Sequence, residues 1–190
     1  KGLKMRIPGM GGEVFKKAGG TAINVPGGEI FTSMQTGVID ATEWVGPYND
    51  LALGLHQIAK YYYYPGWQEA GPTLEVVINK DSWDSLPEDL QVIVETAALA
   101  ANMDMLAEYT ARNNSALREL VDEHKVELRR LPDDVLAEIK ELSEQMIVEM
   151  VERDEDELSK RIYNSWSRYR NDVVAYHEIS ERAYINARSE

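Results

Sequence analysis

The chain has 190 residues, 44% of them apolar, enough for one ordinary domain or for part of a two-lobed one. Its net charge of -13 repels nucleic-acid phosphates and excludes nucleic acid as a partner. The absence of cysteine excludes disulfides, thiolate metal sites and cysteine nucleophiles, and is compatible with a bacterial periplasm. No run of about 18 uninterrupted apolar residues marks a membrane span.

In chain order, "LKMRI" (3–7) alternates apolar and basic residues and predicts a strand with one covered face. "PGMGG" reads as tight turns that break it. The stretch lacks both the dinucleotide glycine pattern and the P-loop lysine. "EVFKKAGG" (13–20) predicts a short helix closed by glycines, and "TAINV" (21–25) a second strand. "PGGEIFTSMQTG" predicts a helix stopped at Gly37, and "VIDATEW" (38–44) a third strand. "NDLALGLHQIA" (49–59) predicts a helix with Asn49 or Asp50 as its cap. The aromatic run "YYYYPGW" follows, and then "PTLEVVINK" (72–80) as a further strand. Strands and helices alternating at these intervals predict an α/β lobe with a mostly parallel sheet. Ligands of such sheets bind beyond the carboxyl ends of the strands, where Glu43 and Trp44 fall.

From residue 81 the character changes. Residues 81–124 follow one long helical pattern, with Ser85 as a plausible cap before Pro87. "KVELRRL" (125–131) predicts a short strand, and Pro132 with two acids opens another helix. Residues 154–190 are helical with an aromatic stripe (Trp166, Tyr169, Tyr176, Tyr184) that needs a surface to lie on. The charge divides at the same boundary. Residues 1–80 balance seven basic against seven acidic residues, while 81–190 carry thirteen against twenty-six. The expected divisions are 1–80 as an α/β lobe with cleft residues, 81–153 as return helix, strand and helix, and 154–190 as a terminal helix.

"GLKMRIPG", "GGEIFTSMQTGVIDATEW", "PTLEVVINKDSWDSLPEDLQVIVETAA" and "VELRRLPDDVLAEI", in that order and spacing, resemble the extracytoplasmic solute receptors of TRAP transporters. The Glu-Trp pair and "YYYPGW" resemble the subgroup that receives 2-oxo acids and lactate. The resemblance implies a periplasmic-binding-protein-like α/β lobe followed by long helices. The chain would be the later part of a two-lobed receptor whose first half is missing here. It also implies a periplasmic location, delivery of the solute to TRAP membrane permease subunits, a homodimer formed through the C-terminal helix, and no enzyme activity.

The resemblance assigns Arg6 to a two-pronged salt bridge with the solute carboxylate, for which a planar guanidinium is matched. The bare alternative is a surface arginine at a strand end. Lys4, two residues earlier, is expected to be a solvated neighbour. The resemblance also implies that the Glu43 carboxylate and the Trp44 carbonyl hold a cation that in turn binds the solute. All-oxygen ligation suits Na+ or Ca2+. The alternative is a turn-capping glutamate beside a core tryptophan. Glu69 is a further candidate cation ligand, and Tyr48 and Gln68 are further candidate solute contacts. The tyrosine run serves equally for packing between lobes. A 2-oxo acid such as pyruvate is the first choice of solute, with lactate or another carboxylate or polyol second. A helical dimerisation module is the competing class. The three histidines stand far apart in sequence without ligand spacing, and no nucleophile motif is present.

Overall fold

A computed structural model describes residues 2–69, 71 and 74–188. The chain forms two compact units, Lys1–Lys140 and Glu141–Glu190.

The first unit is built on parallel strands. β1 (Lys4–Arg6) lies between β2 (Thr21–Ile23) and β3 (Ala41–Thr42), with Arg6 in register with both Ile23 and Thr42. Parallel pairing requires a crossover between strands, and the intervening helices supply it. α1 (Gly9–Lys17) connects β1 to β2, and α2 (Ile30–Gln35), preceded by a 3-10 turn at Gly27–Glu29, connects β2 to β3. The core of this layer is Ile7, Val14, Val25, Ile30 and Ile39, of which Ile30 and Ile39 are 0% and 1% exposed. The expected α/β class and parallel pairing are therefore present.

Several expected boundaries move. "PGMGG" is not a break, because Gly9–Gly12 form the first turn of α1. Gly12 is needed there, since a Cβ would stand 2.5 Å from the Ile7 carbonyl oxygen. The third strand shrinks from seven residues to Ala41–Thr42, the two residues in register with Met5 and Arg6 of β1. The helix expected over 49–59 divides at Gly54 into α3 (Pro47–Ala52) and a 3-10 turn at Leu55–Gln57. Pro47 occupies the first helical position, where its fixed φ is favourable, so Asn49 and Asp50 lie inside α3 rather than capping it.

The tyrosine run is itself a strand, β4 (Tyr61–Tyr64), paired in parallel with β5 (Glu127–Arg130) in a separate two-stranded sheet. The Arg129 guanidinium lies 3.8 Å from the Tyr61 ring centroid, and Lys60 Nζ lies 2.7 Å from Glu127 Oε1. The strand expected over 72–80 is not formed. Pro72 and Thr73 lie outside the described residues, and 74–79 are irregular, with Leu74, Val76 and Val77 exposed. A strand requires a partner ladder, and no described strand pairs with this segment.

The single long helix expected over 81–124 is two. α4 (Lys80–Asp84) is capped by the Asn79 side chain, which accepts from the Ser82 amide at 3.1 Å. α5 (Glu88–Asp122) starts after Pro87. Ser85 caps nothing at the start of α5; its hydroxyl donates back to the Ser82 carbonyl at 2.8 Å. By length and composition α5 is long and apolar enough to cross a membrane, although no uninterrupted apolar run marks it. Its later half instead makes polar contacts with α3, through Tyr109 and Asn113. α6 (Asp133–Arg153) begins in the first unit and ends in the second. The second unit continues with α7 (Glu157–Ile179) and α8 (Glu181–Arg188), joined at Ser180. Asp156 caps α7 by accepting from the Leu158 amide at 2.9 Å.

Truncating Ile39→Ala deletes a fully buried side chain just ahead of β3. It is expected to lower the unfolding free energy by about 2–5 kcal/mol, read as a shift in the urea midpoint at unchanged slope.

Candidate functional site

The alternation of "LKMRI" brings Arg6 to the end of β1, and the register of β1 with β3 places the chain just past Thr42 beside it. The Glu43 amide donates to the Arg6 carbonyl at 3.3 Å, extending the ladder by one residue. The two side chains also meet, through an ion pair from Arg6 Nη1 to Glu43 Oε1, with only 11% and 12% of each exposed. Arg6 Nε donates to the Val25 carbonyl at 3.1 Å, which fixes the guanidinium plane. The guanidinium carbon lies 5.2 Å from the centre of the Trp44 ring, within cation–π range.

Trp44 is seated by a close approach. A Cβ on Gly27 would stand 2.6 Å from the indole Cη2, so only glycine leaves the ring its place. Arg6, Glu43 and Trp44, the three residues carrying the sequence assignment, are thus brought together.

Their polar capacity is only partly used. Among the described residues Arg6 Nη2, Glu43 Oε2 and the Trp44 carbonyl make no hydrogen bond. Burial raises the Glu43 carboxyl above its ordinary range; Arg6 pulls it back, and the negative charges of Glu69 and Asp50 push it up again. A carboxylate held in a field of other carboxylates, next to an uncommitted carbonyl, is a donor set for a hard cation. The fit is partial: among the described residues no three Asp, Glu or His side chains form a metal-holding group. A Ca2+ ion takes six to eight oxygens, so the solute or other protein groups would have to complete the shell.

The other predicted residues are distributed more widely. Glu69 is near enough to act on Glu43 by charge. Gln68 lies against α1, where a Cβ on Gly11 would meet the Gln68 Cβ at 3.3 Å. Tyr48 turns to α5: its amide donates to Asn113 Oδ1 at 3.0 Å, its hydroxyl lies 3.4 Å from Glu108 Oε1, and its ring meets Tyr109 edge-on at 6.2 Å. None of its described contacts is with Arg6 or Glu43. Lys4 binds the Gly37 carbonyl at 2.7 Å, at the opposite end of β1 from the site.

Two features were not foreseen. Asp50 is 7% exposed and accepts the Tyr62 hydroxyl at 2.5 Å on Oδ2, while Oδ1 has no hydrogen-bond partner. Burial raises its pKa to about 6, against the Tyr62 hydroxyl and the Gly46 and Val45 amides, which favour the charged form. Burial and the Asp50 charge raise the Tyr62 phenol in turn. His56 and His124 stack at 3.9 Å beside a cavity of about 240 Å³, and burial, then the neighbouring ring, lower the His56 pKa.

Comparison with known proteins places these residues in context. Residues 1–154 match the family described as bacterial extracellular solute-binding protein, family 7. The monocarboxylate 2-oxoacid-binding periplasmic protein of Nostoc sp. strain PCC 7120 is 40% identical over 98% of this chain and 50% of its own length. A TRAP periplasmic solute-binding protein from Pseudoalteromonas atlantica T6c, crystallised with sodium and pyruvate, superposes with a TM-score of 0.91. It is 38% identical over 98% of this chain and 56% of its own. A TRAP transporter solute-binding protein from Bordetella bronchiseptica RB50 gives a TM-score of 0.92 at 35% identity, over 100% of this chain and 57% of its own. That protein is a dimer of mixed occupancy, with calcium and picolinate in one site and the other site apo. The chain thus spans about half the length of each of these relatives.

Gly27→Ala is expected to displace the indole from Arg6, read as a change in Trp44 fluorescence that disappears in a Gly27→Ala/Trp44→Phe double variant. Asp50 sets a pH dependence. Between its ordinary 3.8 and about 6 the folded protein holds a proton that the unfolded chain has released, so stability from this group falls as pH rises through that window. Asp50→Asn removes the fall. Urea titrations from pH 4 to pH 7 should show the variant gaining on the parent by up to about 3 kcal/mol.

Proposed function

Since the chain belongs to the bacterial extracellular solute-binding protein family 7, we propose that it is the solute-capturing part of a TRAP receptor for a small 2-oxo acid. The observation that carries this reading is the Arg6–Glu43–Trp44 cluster with its unused Nη2, Oε2 and carbonyl oxygen. Arg6 would grip the solute carboxylate, and Glu43 with the Trp44 carbonyl would hold a Na+ or Ca2+ ion that supplies positive charge to the solute. A 2-oxo acid presents a carboxylate oxygen and an adjacent keto oxygen, a chelating pair that a plain carboxylic acid lacks. Pyruvate with sodium, and picolinate with calcium, in the similar structures support this choice. Glu69 lies within electrostatic reach of the same cation, and Gln68 is a candidate wall residue.

Capture involves no bond making or breaking. The solute and the cation favour the state in which Glu43 and Arg6 are engaged, and the free energy that drives any closure is their differential affinity for that state. The cation would also offset the repulsion from Glu69 and Asp50 that adds to burial in raising the Glu43 carboxyl. Without it the cluster holds three carboxylates, Glu43, Glu69 and Asp50, against one guanidinium. In this reading the protein is periplasmic and hands its solute to a TRAP membrane permease. The exposed stripe of Trp166, Tyr169 and Tyr176 on α7 is the surface through which two copies pair.

Calorimetric titration of the full-length protein with pyruvate, lactate and plain carboxylic acids, with and without Ca2+ or Na+, tests this. Pyruvate is expected to bind more tightly when the cation is present. Arg6→Ala abolishes binding, and Glu43→Ala leaves whatever binding remains insensitive to the cation. A full-length protein that takes up none of these acids refutes the receptor reading.

A further inference from the structure

The helix that follows the Glu43–Trp44 turn cannot cap itself. A helix start needs an acceptor for its first free amides, normally the side chain of the residue before it. For α3 that residue is Gly46, which has no side chain, and the next is Pro47, which has no amide hydrogen. Tyr48 therefore carries the first amide of α3 that needs an acceptor.

The acceptor comes from α5, 65 residues further along the chain: the Tyr48 amide donates to Asn113 Oδ1 at 3.0 Å. Gly46 approaches the same side chain so closely that a Cβ there would stand 3.2 Å from Oδ1 and 3.6 Å from Cγ. Beside this contact, Asn49 Nδ2 donates to the Tyr109 hydroxyl at 3.3 Å. Tyr109, Asn113, Ala116 and Leu120 recur at three and four residues and so share one face of α5, on which Ala116 and Leu120 are buried. Asn113 thus stands on the anchored face of a long helix, a rigid base for the bond.

The segment between the two fixed points is short. The Glu43 amide is held by the Arg6 carbonyl at 3.3 Å, and the Tyr48 amide by Asn113. Only Trp44, Val45, Gly46 and Pro47 lie between them. Gly46 is fully extended (φ 169°, ψ 176°), and the ring of Pro47 fixes its own φ. The bond at Tyr48 therefore limits where the Trp44 carbonyl can point.

We infer that Asn113 of α5 is a positioning residue of the cation site, capping α3 so that the turn carrying the Glu43 carboxylate and the Trp44 carbonyl keeps one geometry. The inference rests on the reading of Glu43 and Trp44 as cation ligands. Asn113 touches neither ion nor solute and acts through the Tyr48 peptide. Outer partners that orient metal ligands typically contribute about 10- to 100-fold to metal affinity.

The test uses full-length protein: the parent, Asn113→Leu and Asn113→Asp. The two replacements have nearly the shape of asparagine and differ in whether an oxygen remains to accept from Tyr48. Ca2+ affinity is titrated calorimetrically in sodium-free buffer, with Na+ in its place if the parent takes no Ca2+, and the thermal midpoint is read without cation. Asn113→Leu is expected to weaken cation binding about 10-fold or more, and Asn113→Asp to restore it to the parent's level. A cap serving stability alone would lower the midpoint of the leucine variant and leave the affinity of the folded protein unchanged. That result, or equal weakening in both variants, overturns the positioning role while leaving the receptor reading intact. If Asn113→Leu does not fold, Asn113→Ala is read in its place by the same criterion. A parent protein that binds neither Ca2+ nor Na+ overturns both the role and the cation site.

Discussion

The ion pair between Arg6 and Glu43 organises the first unit of this protein. It forms at the one place where the centre strand of a parallel sheet ends beside the chain leaving its neighbour, so side-chain and backbone contacts reinforce each other. With both partners nearly buried, the pair costs much of its Coulomb energy in desolvation, and its value lies in orientation rather than net stability. Val25 completes the constraint by taking Arg6 Nε, which leaves Nη2 as the arm of the fork still open. The indole of Trp44 lies over the guanidinium because Gly27 yields the space. A two-residue strand, a glycine in a 3-10 turn and one ion pair therefore fix three chemically distinct groups within a few ångströms of one another.

Much of this was legible in the amino-acid order, for reasons that can be stated. Alternation in "LKMRI" marks β1 because a strand covered on one face leaves a period of two. Rapid exchange of short strands and helices marks parallel pairing because each crossover needs a helix. The strand expected over 72–80 failed for a non-local reason. "PTLEVVINK" has the composition of a strand, but a strand exists only with a partner, and residue choice cannot supply one. Tyr48 reads as a cleft residue from its place after Trp44. Its partners, Glu108, Tyr109 and Asn113, lie about sixty residues on, beyond any local pattern.

The site residues divide along the same line. Spacing alone leaves Arg6 an ordinary strand-end cation and Glu43 an ordinary turn acid; the resemblance to a receptor family is what singled them out, and their contact is consistent with it. Asp50 was read with Asn49 as a helix cap, because an acid at a helix start has a familiar use there. Only the fold reveals that this one is turned inward beneath Tyr62. The stacked His56 and His124 were dismissed on separation in sequence, a criterion that applies to motifs on one helix and not to a turn packed against the end of another.

The irregular segment 74–78, "LEVVI", has a bearing on how the polypeptide behaves in solution. Four of its five side chains are apolar, its only charge is Glu75, and its backbone amides and carbonyls make no hydrogen bond among the described residues. That is the composition of a template on which identical segments stack, each copy satisfying the peptide groups of the next. Acidic charge elsewhere on the chain keeps copies apart at low ionic strength, and added salt screens it. The four apolar residues of this segment and the acidic surface therefore act in opposite directions on the association of copies.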